Sequence, residues 1–362
     1  MLRVAVVGAN GFVGSRLIEQ WHLEERADVI PVVRRPEAAA GVLRFGLDCR
    51  VADALHEREL TRALVGCDAV VHAGAGPRRF VTQSPAIIVR AAAHAGAHTV
   101  VYLSSMAVHG WQARPGTDEA SPPPRRHPLP YNRWKARSEQ ALRSTCRETG
   151  MRFVILRPGI VYGPRSQWIA GFARRVVEGS AYVVAGGRGV CNAIYVDNLV
   201  HAVKLALERE EAAGEAFLVS DHDAITWRML FEPVCRALGR PWDAVADLAP
   251  RSSLRTPRDR LLELKEDPAA RRVIDRVPRA LRNPIRRLAV HRLAEEPHHT
   301  PLTPPLETSL LQTCDYRFPT TKAHRLLGFE PPTPFDEACR KTVAWLGFAG
   351  YPIAAAARSS AR

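Results

Sequence analysis

The sequence lacks long uncharged apolar runs and closely spaced cysteine pairs. Its longest candidate run, Val343 to Ala357, has 15 residues and contains glycine and proline, whereas a membrane-spanning helix requires ~18. Seven cysteines occur with no CxxC pair, which favours reduced thiols over a zinc site or a disulfide framework. Because an apolar strand begins at Val4, we expect no signal peptide. These absences predict a cytoplasmic globular protein without a metal site.

Basic residues are in excess. The 362 residues carry a formal net charge of +14, with 46% hydrophobic and 24% charged residues. Thirteen Lys or Arg against five Asp or Glu lie between Arg251 and Leu293. Such a surplus favours anionic partners, either phosphorylated small molecules or an anionic lipid surface. The chain shows no nucleic-acid motif, and its basic residues are not interleaved with aromatic ones, so we expect no nucleic-acid partner.

Within this basic region, residues 271–293 form a candidate amphipathic helix. Arginines separate apolar residues that recur at helical spacing: Ile274, Val277, Leu281, Ile285 and Leu288. A basic amphipathic helix can lie on an anionic membrane surface, which would make the protein peripheral to the membrane. Pro278 and Pro284 interrupt the pattern, and a solvated helix packed on the rest of the protein is the other interpretation.

The N-terminus contains the most informative stretch. A buried-type apolar strand, Val4 to Val7, ends in three glycines at Gly8, Gly11 and Gly14, and an amphipathic segment follows at once. Glycines allow a tight turn, close approach to a pyrophosphate and close packing of the next helix. The N-terminus of that helix attracts phosphate through its free N–H groups. The pattern therefore predicts a dinucleotide-binding turn.

A second strand, Val29–Val33, ends at Arg34 and Arg35, about twenty residues after the glycine turn, where the adenosine ribose is expected. A carboxylate there would repel a 2′-phosphate, whereas arginine pairs with it. These arginines favour NADP, with NAD as the alternative, and a solvated charge pair is the other interpretation. Ala73 and Gly74 follow a further strand and would let the backbone lie close to the cofactor.

Strands and helices alternate over the first two hundred residues, which predicts a parallel, doubly wound sheet. We expect a third strand near Val42–Asp48 and a helix that begins at Ser84-Pro85, a hydroxyl cap followed by proline. The strand Thr99–Leu103 delivers Ser104 and Ser105 to the carboxyl edge of the sheet, where ligands bind. Tyr131 and Lys135, four residues apart, share one face of a later helix.

Taken together, these residues resemble the extended short-chain dehydrogenase/reductase superfamily, in particular its nucleotide-sugar epimerase/dehydratase branch. The matching motifs span residues 1–210 in the order of the family; they are Gly8/Gly11/Gly14, Asp68–His72, Ser104–Gly110, Tyr131 with Lys135, Arg157-Pro158, Val161–Pro164 and Tyr195–Asp197. By this resemblance, Tyr131 is the general acid/base, Lys135 favours its phenolate and holds the nicotinamide ribose, and Ser105 binds the substrate oxygen. The implied cofactor-binding residues are Gly8, Asn10, Gly11, Phe12, Val13, Gly14, Arg34, Arg35, Asp53, Ala73, Gly74, Tyr131, Lys135 and Pro158.

The sequence departs from the branch at several positions. Dehydratases carry an Asp-Glu pair directly after the active hydroxyl residue, and here Met106 and Ala107 stand there, which argues against sugar dehydration. His109 replaces a common tyrosine. With no second ligand at suitable spacing, His72 and His109 are expected to be packed or hydrogen-bonded histidines, not metal ligands.

The predicted architecture is an α/β fold, a Rossmann-like doubly wound parallel sheet with a smaller C-terminal α/β substrate cap. The predicted boundaries are 1–160 plus 192–210 for the NAD(P)-binding domain and 161–191 plus 211–345 for the cap, with 346–362 as a tail. Arg188, in a glycine-rich turn, would grip a substrate diphosphate or lie in a surface turn, and Tyr195 is the second candidate substrate contact.

The resemblance implies an NAD(P)-dependent oxidoreductase or epimerase acting on an alcohol or ketone carbon, with a nucleotide-activated sugar as the leading substrate. The alternatives are a 3β-hydroxysteroid-dehydrogenase-like enzyme for a lipid alcohol, suggested by Tyr195–Asn198 and Ile225–Trp227, and a non-catalytic NADP-binding sensor or scaffold. Since NADP(H) commonly serves net reduction, the arginine pair favours net redox chemistry over epimerisation. A homodimer is left open.

Overall fold

A seven-stranded parallel sheet lies at the centre of the structure, a computed structural model that describes residues 1–124, 127, 129–251 and 303–354. The described strands are β1 (Arg3–Val7), β2 (Asp28–Val33), β3 (Arg50–Val51), β4 (Ala69–His72), β5 (Thr99–Leu103), β6 (Arg152–Pro158), β7 (Ile160–Tyr162), β8 (Tyr182–Val184), β9 (Ala193–Tyr195), β10 (Ala216–Val219) and β11 (Ala246–Leu248). The strand order in the central sheet is β10-β6-β5-β4-β1-β2-β3. The order reverses beside β1, so the predicted doubly wound sheet is confirmed.

Helices cover both faces of this sheet. The described α-helices are α1 (Phe12–Leu23), α2 (Ala40–Leu43), α3 (Glu57–Leu64), α4 (Arg78–His94), α5 (Pro130–Thr149), α6 (Gln167–Glu178), α7 (Val196–Glu208), α8 (Trp227–Ala237), α9 (Leu306–Gln312) and α10 (Phe335–Phe348). Helices α1 and α7 bury Leu17, Ile18 and Val203 against one face. Helices α3, α4 and α5 bury Leu60, Ile88 and other apolar residues against the opposite face. Burial on both faces explains why the strands read as continuous apolar runs.

The strand expected near Val42–Asp48 was wrong. That stretch begins with α2, and the third strand is the two-residue β3, whose Val51 pairs with Val33 of β2. Val42 is buried in the same core as the apolar face of α1, and Phe45 and Leu47 pack against that core. The apolar residues that suggested a strand therefore pack, as part of a helix and turn, in the same core as α1.

Helix α4 also begins earlier than predicted. Its N-cap is Pro77, and Pro85 lies in the helix interior. Ser84 does not cap a helix, because its hydroxyl bonds Nε2 of His72 at 2.9 Å. Pro85 has no N–H, so the carbonyl of Val81 loses its usual partner in the helix.

A smaller layer packs beside the carboxyl edge of the sheet. It contains the pairs β7–β9 and β8–β11 together with α6, α8 and α10. Its core includes the stacked rings of Phe172 and Phe231, 4.0 Å apart. Strand β10, which lies within the predicted cap range 211–345, joins the central sheet beside β6. All four residues of β10, Ala216–Val219, are buried where the strand pairs with β6 at the edge of the central sheet.

The candidate amphipathic helix at 271–293 lies outside the described residues. Within the ranges that the structure describes, no helix is both long enough and apolar enough to cross a membrane.

Candidate active site

A cavity of about 1190 Å³ opens along the carboxyl ends of the central strands. Its lining contains fourteen of the predicted site residues: Gly8, Asn10, Gly11, Phe12, Val13, Arg34, Arg35, Asp53, Ala73, Gly74, Ser105, Tyr131, Lys135 and Pro158. Three predicted site residues are absent from the described lining: Gly14, Arg188 and Tyr195. Parallel strands bring all of their carboxyl ends to one edge, which explains how residues distant in sequence share this cavity.

The glycine turn is packed too closely for side chains. Gly8 has a φ of +93°, and a Cβ at Gly8 would lie 2.6 Å from Cα of Gly74. A Cβ at Gly14 would lie 2.2 Å from the carbonyl oxygen of Gly8. Gly14 therefore lies beneath the turn, where the absence of a side chain lets α1 pack closely on the turn, and it does not line the cavity. The turn lets the backbone approach a ligand without obstruction from a Cβ.

Helix α1 begins at this turn with its N-terminus beside the cavity. Its N-cap, Gly11, provides no side-chain cap, and Gly11, Phe12 and Val13 all line the cavity. Uncapped N–H groups at a helix N-terminus favour an anionic ligand. The glycine cradle and this helix end together fit the pyrophosphate of a dinucleotide.

Arg34 and Arg35 follow β2 at the far end of the cavity. Both side chains are exposed, and neither forms an ion pair or hydrogen bond with a residue that the structure describes. Glu37 lines the same end. Two guanidinium groups without partners in the described part of the chain can bind an anion of the ligand.

Tyr131, Lys135 and Ser105 converge on the middle of the cavity. Tyr131 lies half-buried in the first turn of α5, and Lys135 lies one turn later with 4% exposure. Nζ of Lys135 donates to the carbonyl of Leu103 at 2.9 Å and to the Tyr102 hydroxyl at 3.2 Å. Ser105 Oγ accepts the Ala107 N–H at 3.1 Å. Since that hydroxyl has no acceptor among the described residues, its proton can be donated to a ligand.

A buried ion pair lies beneath these residues. Arg157 of β6 donates to both carboxylate oxygens of Glu139 on α5, at 3.0 and 2.7 Å, and both side chains are almost fully buried. Ser104 Oγ donates to the same carboxylate. Nη1 of Arg157 donates to Nε2 of His109 at 3.0 Å. Of the four residues only Ser104 lines the cavity, and we call the buried cluster of Ser104, His109, Glu139 and Arg157 the floor.

The two histidines are buried and hydrogen-bonded. Burial, and then the charge of Lys135, lower the pKa of His72 to about 3. Burial, and then Arg157, lower the pKa of His109 to about 4. Both rings are therefore neutral at pH 7. The described residues contain no group of three or more side chains suited to a metal ion.

The other end of the cavity contains residues that the sequence analysis missed. They are Trp111, Ser166, Gln167, Trp168 and Glu307. Trp168 is 38% exposed, and reduced hydration raises the pKa of the Glu307 carboxyl. Trp111 directly follows the Ser104–Gly110 motif, which is a usable signal. No sequence signal connects Glu307, on α9, to this site.

The two predicted substrate contacts lie elsewhere. Tyr195 is 1% exposed, and its ring lies 5.6 Å from that of Tyr162 in the core of the cap. Arg188 follows a turn in which the Gly186 N–H donates to Asp247. The structure therefore does not bring either residue to the described lining of the cavity.

Comparisons with known proteins agree with this geometry. The family model described as "NAD dependent epimerase/dehydratase family" matches residues 4–220. The 3beta-hydroxysteroid-dehydrogenase/decarboxylase isoform 1 of Arabidopsis thaliana is 23% identical over 93% of this chain and 78% of its own length. The 3-diazoavenalumate denitrifying reductase of a Streptomyces species is 31% identical over 69% of this chain and 86% of its own.

The fold is shared with solved structures. The crystal structure of dTDP-glucose 4,6-dehydratase from Streptomyces venezuelae with NAD and TYD bound superimposes with a TM-score of 0.69 at 21% identity. The match covers 96% of this chain and 97% of the dehydratase.

Proposed function

We propose that this chain, which belongs to the NAD-dependent epimerase/dehydratase family, is an enzyme that transfers a hydride between a nicotinamide cofactor and an alcohol or ketone carbon. The observation that carries this proposal is the convergence of Ser105, Tyr131 and Lys135 on the cavity that the glycine turn also lines. Membership of a family of enzymes, together with the presence of both Tyr131 and Lys135, argues against the alternative of a non-catalytic sensor or scaffold.

In this proposal Tyr131 is the general acid/base. A bound nicotinamide supplies or accepts the hydride. During reduction the Tyr131 hydroxyl gives its proton to the substrate oxygen, and during oxidation the phenolate takes that proton back. Lys135 lies one helical turn after Tyr131 and lines the same cavity. The Ser105 hydroxyl donates to the same substrate oxygen and orients it.

The test is Tyr131→Phe, which removes only the hydroxyl. Loss of a general acid/base lowers turnover by about 10²- to 10⁴-fold, whereas the dissociation constant for NADPH stays unchanged. Turnover is followed as NADPH oxidation against a panel of ketones, and binding as nicotinamide fluorescence. A variant that keeps most of the turnover contradicts the assignment.

We further propose that NADP(H) is preferred over NAD(H). Arg34 and Arg35 lie at the end of β2, exposed and without partners in the described part of the chain. A 2′-phosphate would give these guanidinium groups charge-assisted hydrogen bonds that NAD cannot give. The family is described as NAD-dependent, and the Streptomyces venezuelae dehydratase was solved with NAD bound, so NAD is the alternative that this preference is tested against.

Net oxidation or reduction is preferred over epimerisation and dehydration. Met106 and Ala107 stand where dehydratases carry acids, and neither side chain has an acidic proton to give to a leaving group. NADPH absorbance during turnover tests the proposal. Net redox chemistry changes the NADPH absorbance in proportion to the amount of product formed. Product formed without a net change in NADPH absorbance, from enzyme purified with bound nucleotide, overturns the preference for net redox chemistry.

A second candidate concerns the substrate, for which the nucleotide sugar is the leading class and a lipid alcohol the alternative. Two indole rings and the Glu307 carboxyl line the substrate end, and Arg188 lies away from it. Aromatic faces favour an uncharged ring, and a carboxylate disfavours a diphosphate. These features support an uncharged cyclic alcohol or ketone. Competition between UDP, dTDP and a neutral sterol ketone for the enzyme–NADPH complex, followed by Trp fluorescence, separates the classes.

A further inference from the structure

Lys135 is held by two acceptors from β5. Its ammonium group donates to the Leu103 carbonyl at 2.9 Å and to the Tyr102 hydroxyl at 3.2 Å, and Nζ lies 4.9 Å from the centre of the Tyr102 ring. An ammonium has three N–H donors and no acceptor. Two donors are therefore directed at β5, and the third remains for the cavity that Lys135 lines.

The hydrogen bonds around Tyr102 have a single consistent direction. The Tyr102 oxygen accepts from Lys135, so its own proton goes to Ser138 Oγ, 2.7 Å away. Ser138 in turn donates to the carbonyl of Lys135 at 2.7 Å. This series of hydrogen bonds ends at the backbone of α5, and each proton in it has one acceptor. Burial raises the pKa of Tyr102, so the phenol stays neutral and acts as an acceptor toward the ammonium.

The titratable and charged groups near Tyr102 on β4, α5 and β6 are His72, Glu139 and Arg157. His72 on β4 packs its ring 5.1 Å from that of Tyr102. The Gly74 N–H donates to Nδ1 of His72, so the proton on Nε2 is directed at Ser84 and the ring is neutral. The charge of Glu139 on α5 is paired with Arg157 of β6. Lys135 thus carries a positive charge next to Tyr102 in a cavity that Tyr131 also lines.

We propose that Tyr102 is a positioning residue, which holds the ammonium of Lys135 so that its third N–H faces the cofactor and Tyr131. This inference depends on the role given to Lys135 in the proposed function. A tyrosine that merely filled the core would need no hydroxyl here, because a phenylalanine would pack against His72 equally well.

The test is Tyr102→Phe, alone and combined with Lys135→Met. We expect Tyr102→Phe to weaken NADPH binding by about tenfold, the loss of one hydrogen bond to a charged group, and to move the pH profile of turnover to higher pH. In the Lys135→Met background the same change should leave the dissociation constant unaltered, because the hydroxyl then has no ammonium to hold. Nicotinamide fluorescence and thermal unfolding are measured for all four proteins.

Tyr162→Phe is the matched control, since it also removes a buried tyrosine hydroxyl, one that donates to Asp221 in the cap. It should lower the unfolding temperature without changing the NADPH dissociation constant. The inference is overturned if Tyr102→Phe has the same NADPH dissociation constant as the wild type. It is also overturned if Tyr102→Phe changes that constant by the same factor in the wild type and in the Lys135→Met background. If Lys135→Met itself binds NADPH normally, the failure lies in the proposed function.

Discussion

The floor and the rim of the cavity, by which we mean Arg34 and Arg35, place positive charge in opposite environments. On the floor, Arg157 is buried and all of its contacts are within the protein, to Glu139, His109 and the Glu119 carbonyl. On the rim, Arg34 and Arg35 are exposed and lack described partners. A buried ion must be paired because water cannot solvate it. Floor charges therefore determine stability, whereas rim charges are available to the ligand.

The largest expected effect is on stability and comes from the floor. Glu139→Gln leaves the Arg157 guanidinium buried without a counter-charge, which costs about 3–5 kcal/mol in the free energy of unfolding. Urea unfolding measures this loss. Arg34→Gln on the rim is the comparison, and it should stay within about 0.5 kcal/mol of the wild type. Similar losses in the two variants would remove the distinction between floor and rim.

Acid should destabilise the floor through His109. Its pKa is near 6.5 in the unfolded chain and about 4 in the folded protein. Below pH 6.5 the unfolded chain binds a proton that the folded protein excludes, so the unfolding free energy falls as the pH drops toward 4. The loss reaches about 3 kcal/mol.

The measurement is urea unfolding at several pH values between 7 and 4, for the wild type and for His109→Gln. The glutamine carbonyl can still accept from Arg157 but does not titrate in this range. The variant should therefore show a shallower decline, while the other acidic groups contribute equally to both proteins. Parallel declines would show that His109 does not carry the effect.

At the rim the expected effect is on affinity. Arg34→Asp removes a charge-assisted contact to the 2′-phosphate, about 1.5–3 kcal/mol, and weakens NADPH binding by roughly ten- to over a hundredfold. NADH binding should be retained or improved. Calorimetry with both cofactors measures the reversal. Arg236→Asp, an exposed site on α8, makes the same change in net charge and should alter neither. Equal binding of the two cofactors by the wild type rejects the preference.

The smallest effect is expected at the substrate end. Trp168→Ala removes one aromatic face, worth about 0.5–1.5 kcal/mol, so KM for the carbonyl substrate should rise by about two- to tenfold. NADPH affinity and stability should stay near those of the wild type. Trp242→Ala, a tryptophan outside the described lining, is the control. An unchanged KM would exclude Trp168 from substrate binding.

Local sequence accounts for the cofactor end of the cavity. The turn from Gly8 to Gly14 is recognisable because a strand, a tight turn and a helix follow one another directly. Tyr131 and Lys135 are recognisable because their spacing places them on one helical face. Each of these predictions rests on residues within one or two neighbouring elements, whose relative position the backbone itself limits.

Other parts depend on tertiary packing. The predicted strand Val42–Asp48 instead begins in the last residues of α2 and continues as a turn, because its apolar residues pack in the same core as α1. Ser84-Pro85 has the form of a helix start, but Pro77 begins that helix and His72 takes the Ser84 hydroxyl. In both cases the local preference is weak and a contact from elsewhere in the chain outweighs it.

The amino-acid sequence was enough to predict the doubly wound sheet and the glycine turn and to single out Ser105, Tyr131 and Lys135, whose catalytic role stays a prediction. The floor and the end of the cavity that contains Trp168 form only when separate elements pack together. Glu307 reaches the cavity from α9, and Trp168 from α6. Glu139 and Arg157, on α5 and β6, become partners because the helix packs across that strand. Side chains that meet through the packing of separate elements have no fixed spacing along the chain, so no local pattern can encode their contact.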